Sequence, residues 1–530
     1  MNEHDHKCIG KSWGKRSGAA IMLQGTASDV GKSVVTTALC RIFKQDGLRV
    51  APFKSQNMAL NSYVTPDGKE IGRAQGVQAE ACGIAATTDM NPVLIKPTGD
   101  MQSQIVVHGK PFRHMSAMNY RTEFLPEARV LVTESIERLK SEYDVVVMEG
   151  AGSPAEINLK HNDIVNMNMA AWADAPVILV ADIDRGGVFA FIVGTLELLE
   201  PEERDRVKGF IINKFRGDLA LLQPGLDWLE ERTGKPVLGV LPYVHNLDIE
   251  AEDSVVLDQL QKGQRSAAAD LDIAVIRYPR ISNFTDLDPL AAESDVHVRY
   301  VSQASELGNP DAIILPGTKS TLADLAFVRD TGIAAAVDEQ VQRGAKLVGI
   351  CGGYQMLGQQ LSDPDGTEAE PGARVQGLGY LPMETTFYPE KKTERVQGEV
   401  VLDRGWLVEG SLADSLSIEG YEIHMGRSSL HGDGAVGPLF KLQGLGDMFH
   451  DGYASADGTA WGTYVHGIFH NDAFRRAWLN DLRVGKGLLP IESQLDFKTE
   501  REAAFDRLAD VTRAHLKMDL IYEMMGINDK

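Results

Sequence analysis

The cysteine in Gly349-Ile350-Cys351-Gly352-Gly353 stands where a nucleophile would. An apolar stretch, Leu347 to Ile350, runs into a thiol flanked by glycines, and a helix-like run follows through Gly358. Glycines permit the sharp strand-to-helix turn of a nucleophile elbow, which strains the nucleophile's backbone and leaves N–H groups facing a developing oxyanion. A buried structural thiol is the plain alternative, because free cysteines are often buried. Four glycines between 349 and 358 favour the elbow. Gly352 supplies one oxyanion donor. Gly317, in Pro316-Gly317-Thr318-Lys319 at the end of the preceding strand, supplies a second. A thiol nucleophile needs a base, usually a histidine brought close by the fold. The candidates are His297, His424, His431, His450, His466 and His470. His466 is favoured because Trp461 to Val465 reads as a short strand ending in His466-Gly467. His424, in Tyr421-Glu-Ile-His424-Met-Gly426, is its rival.

A second chemistry lies near the beginning. Gly25-Thr26-Ala27-Ser28-Asp29-Val30-Gly31-Lys32-Ser33 follows the apolar run Ile21-Met-Leu and opens a helix-like segment through Phe43. Strand, glycine-bounded loop and helix are the context of a phosphate-binding P-loop, here with five residues between the glycines instead of four. Backbone N–H groups would wrap phosphate oxygens, Lys32 would add a point charge, and the Ser33 hydroxyl would ligate magnesium. Glu149, entering Gly150-Ala-Gly-Ser, is the natural carboxylate for the same ion. Lys54, Asp182, Asn213 and Lys214 also close apolar runs. Asn213-Lys214 either meets a nucleotide base or makes a strand-end turn. The patches Lys54-Ser-Gln-Asn57, Lys96-Pro-Thr-Gly, Asp184-Arg185 and Lys214-Phe-Arg216 together offer a local positive field for an anionic substrate, although each alone reads as solvated charge.

These residues need strands to carry them. Short β-branched runs alternate with helical patterns from Ile21 to Leu241, which predicts a doubly wound parallel sheet with ligands at the carboxyl ends of its strands. The stretch from Asn246 to Asp270 loses strand character, and a second α/β series begins at Asp272. The expected organisation is a polar extension over 1–19, a P-loop domain over 20–245, a linker over 246–270, a second α/β domain over 271–485 and a helical segment over 486–530. The net charge of −22 argues against nucleic acid or an anionic membrane as partner. Four scattered cysteines suit a reducing compartment. No run approaches a membrane span, and the expected location is the cytoplasm. The partner set leaves room for a homo-oligomer.

Taken in order, the strings Gly-Thr-Ala-Ser-Asp-Val-Gly-Lys-Ser, Pro-Phe-Lys-Ser-Gln-Asn-Met, Glu-Gly-Ala-Gly-Ser-Pro-Ala-Glu-Ile-Asn-Leu, Ala-Asp-Ile-Asp-Arg-Gly-Gly-Val-Phe, Ile-Ile-Asn-Lys-Phe-Arg-Gly-Asp, Gly-Ile-Cys-Gly-Gly-Tyr-Gln-Met-Leu-Gly, Gly-Tyr-Glu-Ile-His-Met-Gly and Tyr-Val-His-Gly-Ile-Phe span residues 20 to 485. They resemble the cobyric acid synthases of the CobB/CobQ family, the glutamine-dependent amidases of cobalamin biosynthesis. The resemblance implies a dethiobiotin-synthetase-like nucleotide domain and a class I glutamine amidotransferase domain. It implies that Cys351 attacks L-glutamine with His466 as base, and that ATP with Mg2+ activates a carboxylate as an acyl phosphate. It implies that the acceptor is a corrinoid polycarboxylate, adenosylcobyrinic acid a,c-diamide, amidated at b, d, e and g. Shielded ammonia transfer calls for a passage between the domains. Common class I enzymes carry a Glu two residues after the histidine; here Ile468 stands there, with Glu422 a substitute partner for His466. The alternatives to that reading are a cobyrinic acid a,c-diamide synthase, which shares both domains, and, in another class, a P-loop switch protein with a vestigial amidotransferase domain.

Overall fold

The computed structural model describes residues 17–98, 102–160, 163–244, 269–401, 416–431, 435–492 and 495–527. Most of the 1–19 extension and the 246–270 linker lies outside them. The chain packs as two compact units, one of Met1–Lys54, Glu127–Tyr243 and Ala509–Lys530, the other of Ser55–Pro126 and Val244–Leu508. Residues 55–126 fall within the stretch read as one P-loop domain, yet they pack with the second unit.

The first unit is built on a six-stranded parallel sheet. Its order is Val237–Pro242, Val207–Phe215, Val177–Asp182, Ala19–Gly25, Val145–Glu149, Val50–Phe53. Parallel strands are covered on both faces and therefore read as continuous apolar runs. Val145, Val146, Val147 and Met148 are all fully buried, and each such side chain contributes about 1.5–3 kcal/mol. The first strand lies at the centre, with the third on one side and the fourth on the other. This reversal of strand order is where doubly wound sheets open a crevice. The chain's last helix, Met518–Met524, also belongs to this unit. Lys517 N–H donates to Leu238 O at 2.7 Å, and the Tyr522 ring lies 5.5 Å from Phe43.

The second unit holds a seven-stranded sheet. Five of its strands are parallel: Val296–Val301, Leu271–Ile276, Ala312–Leu315, Lys346–Ile350 and Ala460–Thr463. Tyr453–Ser455 and Ala435–Val436 extend it antiparallel. Beside it a long antiparallel pair, Met383–Val400 with Ser417–Leu430, anchors a further sheet. Residues 55–126 add a four-stranded sheet and the hairpin Ser62–Val64/Glu70–Gly72. Arg395, on the long strand, donates to Val64 O at 2.8 Å and Tyr63 Oη at 2.7 Å, fixing that hairpin. Among the described residues no helix is long and apolar enough to cross a membrane.

Candidate functional site

In the first unit the phosphate loop turns out of Ala19–Gly25 and into the helix Lys32–Gln45. Asp29 and Gly31 take left-handed backbone conformations, φ 58° and 92°. Glycine is required at 31: a Cβ there would meet Asn213 Nδ2 at 2.2 Å. Thr26 N–H donates to Val180 O at 3.0 Å, Thr26 and Val30 are buried, and Ser28 and Asp29 are exposed at the loop's tip. Lys32 Nζ folds back on Ala27 O and Gly152 O at 3.2 and 3.3 Å. The Ser33 hydroxyl donates to Glu149 Oε1 at 2.8 Å, and Lys54 Nζ lies 3.1 Å from the same oxygen. The sheet thus brings Lys32, Ser33, Lys54 and Glu149 together.

The neighbouring predicted residues have more structural duties. Asn213 Nδ2 donates to Val30 O at 2.9 Å, bracing the loop from behind. Lys214 Nζ bridges Asp29 O at 2.6 Å and Asp182 at 2.8 Å. Arg185 lies 3.6 Å from Asp29 and 3.8 Å from Asp182, while Arg216 pairs with Asp184 at 3.2 Å and covers the Tyr243 ring. Asn57 belongs to the second unit, where it donates to Gln75 at 3.0 Å.

The donors fit a magnesium ion. Ser33 hydroxyl and Glu149 carboxylate are hard oxygens that already converge beside the phosphate loop, and Mg2+ in nucleotide sites typically takes one or two protein oxygens besides phosphate and water. Among the described residues no group of three or more His, Cys, Asp or Glu side chains gathers for a metal, so nucleotide oxygens would complete the set.

In the second unit Cys351 is poised as the elbow requires. Its φ of 51° is unusual for a side-chain-bearing residue and costs roughly 1–3 kcal/mol unless the surroundings hold it. They do: Cys351 N–H donates to Thr463 O at 2.8 Å, and Gly353 N–H to Pro316 O at 3.1 Å. A Cβ on Gly353 would meet Leu315 O at 1.9 Å, so the close crossing demands glycine. Gly352 occupies the first helical position of Gly352–Met356, where backbone donors have no intrahelical acceptor. Gly317 faces it across the site; a Cβ there would lie 2.9 Å from His466 Cε1.

His466 is fully buried, and Nδ1 lies 2.6 Å from Asp286 Oδ2. The other carboxylate oxygen of Asp286 accepts Gly467 N–H at 3.0 Å. Nε2 faces Asn283 Nδ2 at 3.4 Å, and the Cys351 thiol, which donates to Ile423 O at 3.7 Å, lines the same cavity as the ring. Tyr421 stacks on the imidazole, and its backbone exchanges hydrogen bonds with the backbone of His466. Burial pushes the imidazole pKa down. The Asp286 carboxylate and Cys351 together outweigh burial and raise it to about 10. Asn283 is itself pinned: its N–H donates to Asn61 Oδ1 at 2.7 Å, and Ser62 N–H donates to its side-chain oxygen at 2.9 Å.

Of the two rival bases, His466 has a carboxylate hydrogen-bonded at Nδ1. His424 instead stacks on Tyr464, with Nδ1 2.7 Å from Gly426 O and Nε2 3.5 Å from Glu422. Glu422 therefore does not orient His466. It is buried against Lys392 and His424, and Asp286, in the short 3-10 helix Phe284–Leu287, is the carboxylate that meets His466 Nδ1. The sequence reading passed over Asp286. Its signal was the polar string Ser282-Asn283-Phe-Thr-Asp286 just beyond a strand's carboxyl end.

Comparison with known proteins agrees along the whole chain. Residues 272–474 match the CobB/CobQ-like glutamine amidotransferase domain, and residues 21–256 match the CobQ/CobB/MinD/ParA nucleotide binding domain. A cobyric acid synthase of Geobacillus sp. (strain WCH70) is 54% identical over 506 residues, covering 95% of this chain and 97% of the relative. Those of Desulforamulus reducens and Klebsiella pneumoniae (strain 342) are each 53% identical, covering 96% of this chain and 98% of their own. With a phosphate loop on one sheet and a Cys–His–Asp array on the other, and with relatives matched nearly end to end, the chain belongs to the cobyric acid synthase family.

Proposed function

We propose that the protein amidates corrinoid carboxylates, using ATP to activate them and glutamine as the nitrogen source. The acceptor is adenosylcobyrinic acid a,c-diamide, and the b, d, e and g carboxylates are the positions converted. The observation that carries the reading is the pairing of chemistries in one chain. His466 between Asp286 and Cys351 suits thiol attack on an amide, and Lys32, Ser33, Lys54 and Glu149 suit a phosphorylated nucleotide.

At the thiol site Cys351 gives its proton to His466 and its sulfur attacks the carboxamide carbon of glutamine. The Gly317 and Gly352 N–H groups receive the oxyanion, and His466, protonated well above neutrality, gives its proton to the departing nitrogen. The C–N bond breaks, leaving a glutamyl thioester and ammonia. His466 then takes a proton from water, which attacks the thioester and releases glutamate. Asp286 holds the imidazole in the orientation and charge state that both steps use, as an acid does behind the histidine of a triad.

At the phosphate site a corrinoid carboxylate oxygen attacks the terminal phosphorus of ATP, and ADP leaves. Lys32 and Lys54 neutralise charge on the transferring group, and Ser33 with Glu149 would hold Mg2+, which supplies further charge neutralisation when bound. Ammonia then attacks the acyl carbon, phosphate leaves, and the amide remains. Asn213, Lys214, Asp182 and Arg185 keep the loop in shape, with Arg216 a further candidate for the polyanionic substrate.

The test is mass spectrometry of the corrinoid after incubation with ATP, Mg2+ and glutamine labelled with 15N in its amide. Successive labelled amides are expected. A folded, ATP-binding protein that leaves the corrinoid unlabelled would remove the acceptor assignment.

A further inference from the structure

The cavity onto which Cys351 and His466 open holds more charge than thioester chemistry uses. Lys96, Lys319, Lys391 and Glu368 also line it. Two of the lysines are accounted for. Lys96 and Lys391 both ion-pair with the buried Glu70, and Lys96 donates to Ser62 at 2.7 Å as well. Burial works against the Glu70 carboxylate, but the two ammoniums keep it well below the usual range.

Lys319 differs. Its backbone N–H donates to Arg280 O at 3.0 Å, yet among the described residues its ammonium has no carboxylate within 4.0 Å and no hydrogen-bond acceptor. Glu368 is held in place by the N–H of Thr321, 2.7 Å from Oε2, at the start of the helix Thr321–Asp330. Its carboxylate and the Lys319 ammonium thus face the same cavity without touching. Burial, with the Lys391 and Lys96 charges, pushes Lys319 down, and burial pushes Glu368 up. The protein compensates neither charge fully, which is costly for groups withdrawn from water.

A free amino acid presents a carboxylate and an ammonium on one carbon, so it can sit between such a pair and satisfy both. We propose that Lys319 binds the α-carboxylate and Glu368 the α-ammonium of the amino acid whose side-chain carboxamide Cys351 attacks. The assignment rests on the glutaminase reading above and specifies how that site selects a free amino acid. The cavity then recognises the zwitterionic head, and Cys351 reads only the amide.

The full-length protein, with ATP, Mg2+ and corrinoid present, separates the possibilities by ammonia release from three amides: glutamine, glutamine α-amide, which lacks the carboxylate charge, and glutaramate, which lacks the amino group. Lys319→Met should raise the KM for glutamine roughly 10- to 100-fold, the range for a lost charged hydrogen bond, and leave that for the α-amide near its already weak value. Glu368→Gln should show the crossed pattern, weakening glutamine but not glutaramate. A general structural defect would weaken all three amides alike. The rate of Cys351 alkylation by chloroacetamide, which has no head group, checks that the thiol is intact. A Lys319→Met KM for glutamine within about twofold of the parent, or equal losses on all three amides, overturns the clamp while leaving the glutaminase intact. A parent protein that releases no ammonia from glutamine overturns the glutaminase reading and the clamp with it.

Discussion

The strand Ala19–Gly25 in the first unit and the strand Lys346–Ile350 in the second each deliver the chain, at the carboxyl end of a parallel sheet, into a turn and a helix. In the first, the turn's polar groups are tied to one another: Lys32 to two backbone carbonyls, Ser33 and Lys54 to Glu149. Those bonds gather Lys32, Ser33 and Lys54 around Glu149 and the carbonyls of Ala27 and Gly152. In the second, the strained Cys351 backbone and the Asp286–His466 pair hold the proposed nucleophile and its histidine in place. The difference suits the chemistry proposed above. Phosphoryl transfer depends on gathering cations around a charged ligand, whereas thiol attack depends on a nucleophile, base and acid aligned beforehand.

If the two sites divide the labour in this way, substitutions should separate them. Cys351→Ala should abolish glutamine-driven amidation, by roughly a thousandfold or more as for other lost nucleophiles. Lys32→Met should cut amidation from either glutamine or ammonium by roughly a hundredfold or more, since charge on the transferring phosphoryl group goes uncompensated. Ammonia release from glutamine should persist in that variant; parallel loss of both would break the comparison.

Asp286→Asn should lower glutamine turnover by on the order of a hundredfold or more, by analogy with the acid of other triads, and leave ammonium-driven amidation in place. Its pH profile is the sharper readout. The raised His466 pKa keeps the imidazole protonated as pH climbs toward about 10. Removing the Asp286 charge removes the leading cause that raises it, so the alkaline limb of the glutaminase profile should move down toward the ordinary histidine value of about 6.5. An unmoved limb would show that Asp286 does not set the histidine's charge. A smaller effect is expected for Gly317→Ala, whose new methyl would stand 2.9 Å from His466 Cε1. A roughly tenfold fall in kcat for glutamine, with ATP affinity unchanged, would reflect a displaced base or oxyanion donor.

Much of the architecture was legible because parallel strands leave a plain trace. Asp144 to Glu149 reads as a buried strand and is one, over Val145–Glu149, and the same holds for the runs that lead to Lys54, Asp182 and Cys351. The run read as a strand from Trp461 to Val465 ends earlier, at Thr463, and His466 forms only an isolated bridge with Tyr421. The elbow was legible because glycine spacing encodes a close crossing, which Gly353 makes against Leu315. The long pair Met383–Val400 and Ser417–Leu430 was not legible. Its first strand carries Pro389 within a register shift between Phe387 and Lys392 and is dense in half-exposed charged residues, so it lacks a clean alternation. Asp286 was hidden for another reason. Common class I enzymes carry their acid two residues after the histidine, and here the acid comes from a short helix 180 residues earlier. Sequence distance gives no guide to such a partner. Nor did the isolated string Lys96-Pro-Thr-Gly announce that its lysine would line the cavity of Cys351.

The most direct test of the divided labour uses Cys351→Ala with 15N-ammonium, ATP, Mg2+ and cobyrinic acid a,c-diamide, followed by mass spectrometry of the corrinoid. The account predicts labelled amides formed at the parent's ammonium-driven rate, with none formed when glutamine replaces ammonium. A folded, ATP-binding variant that fails with ammonium as well would contradict it, because the phosphate site would then depend on Cys351 for more than its supply of ammonia.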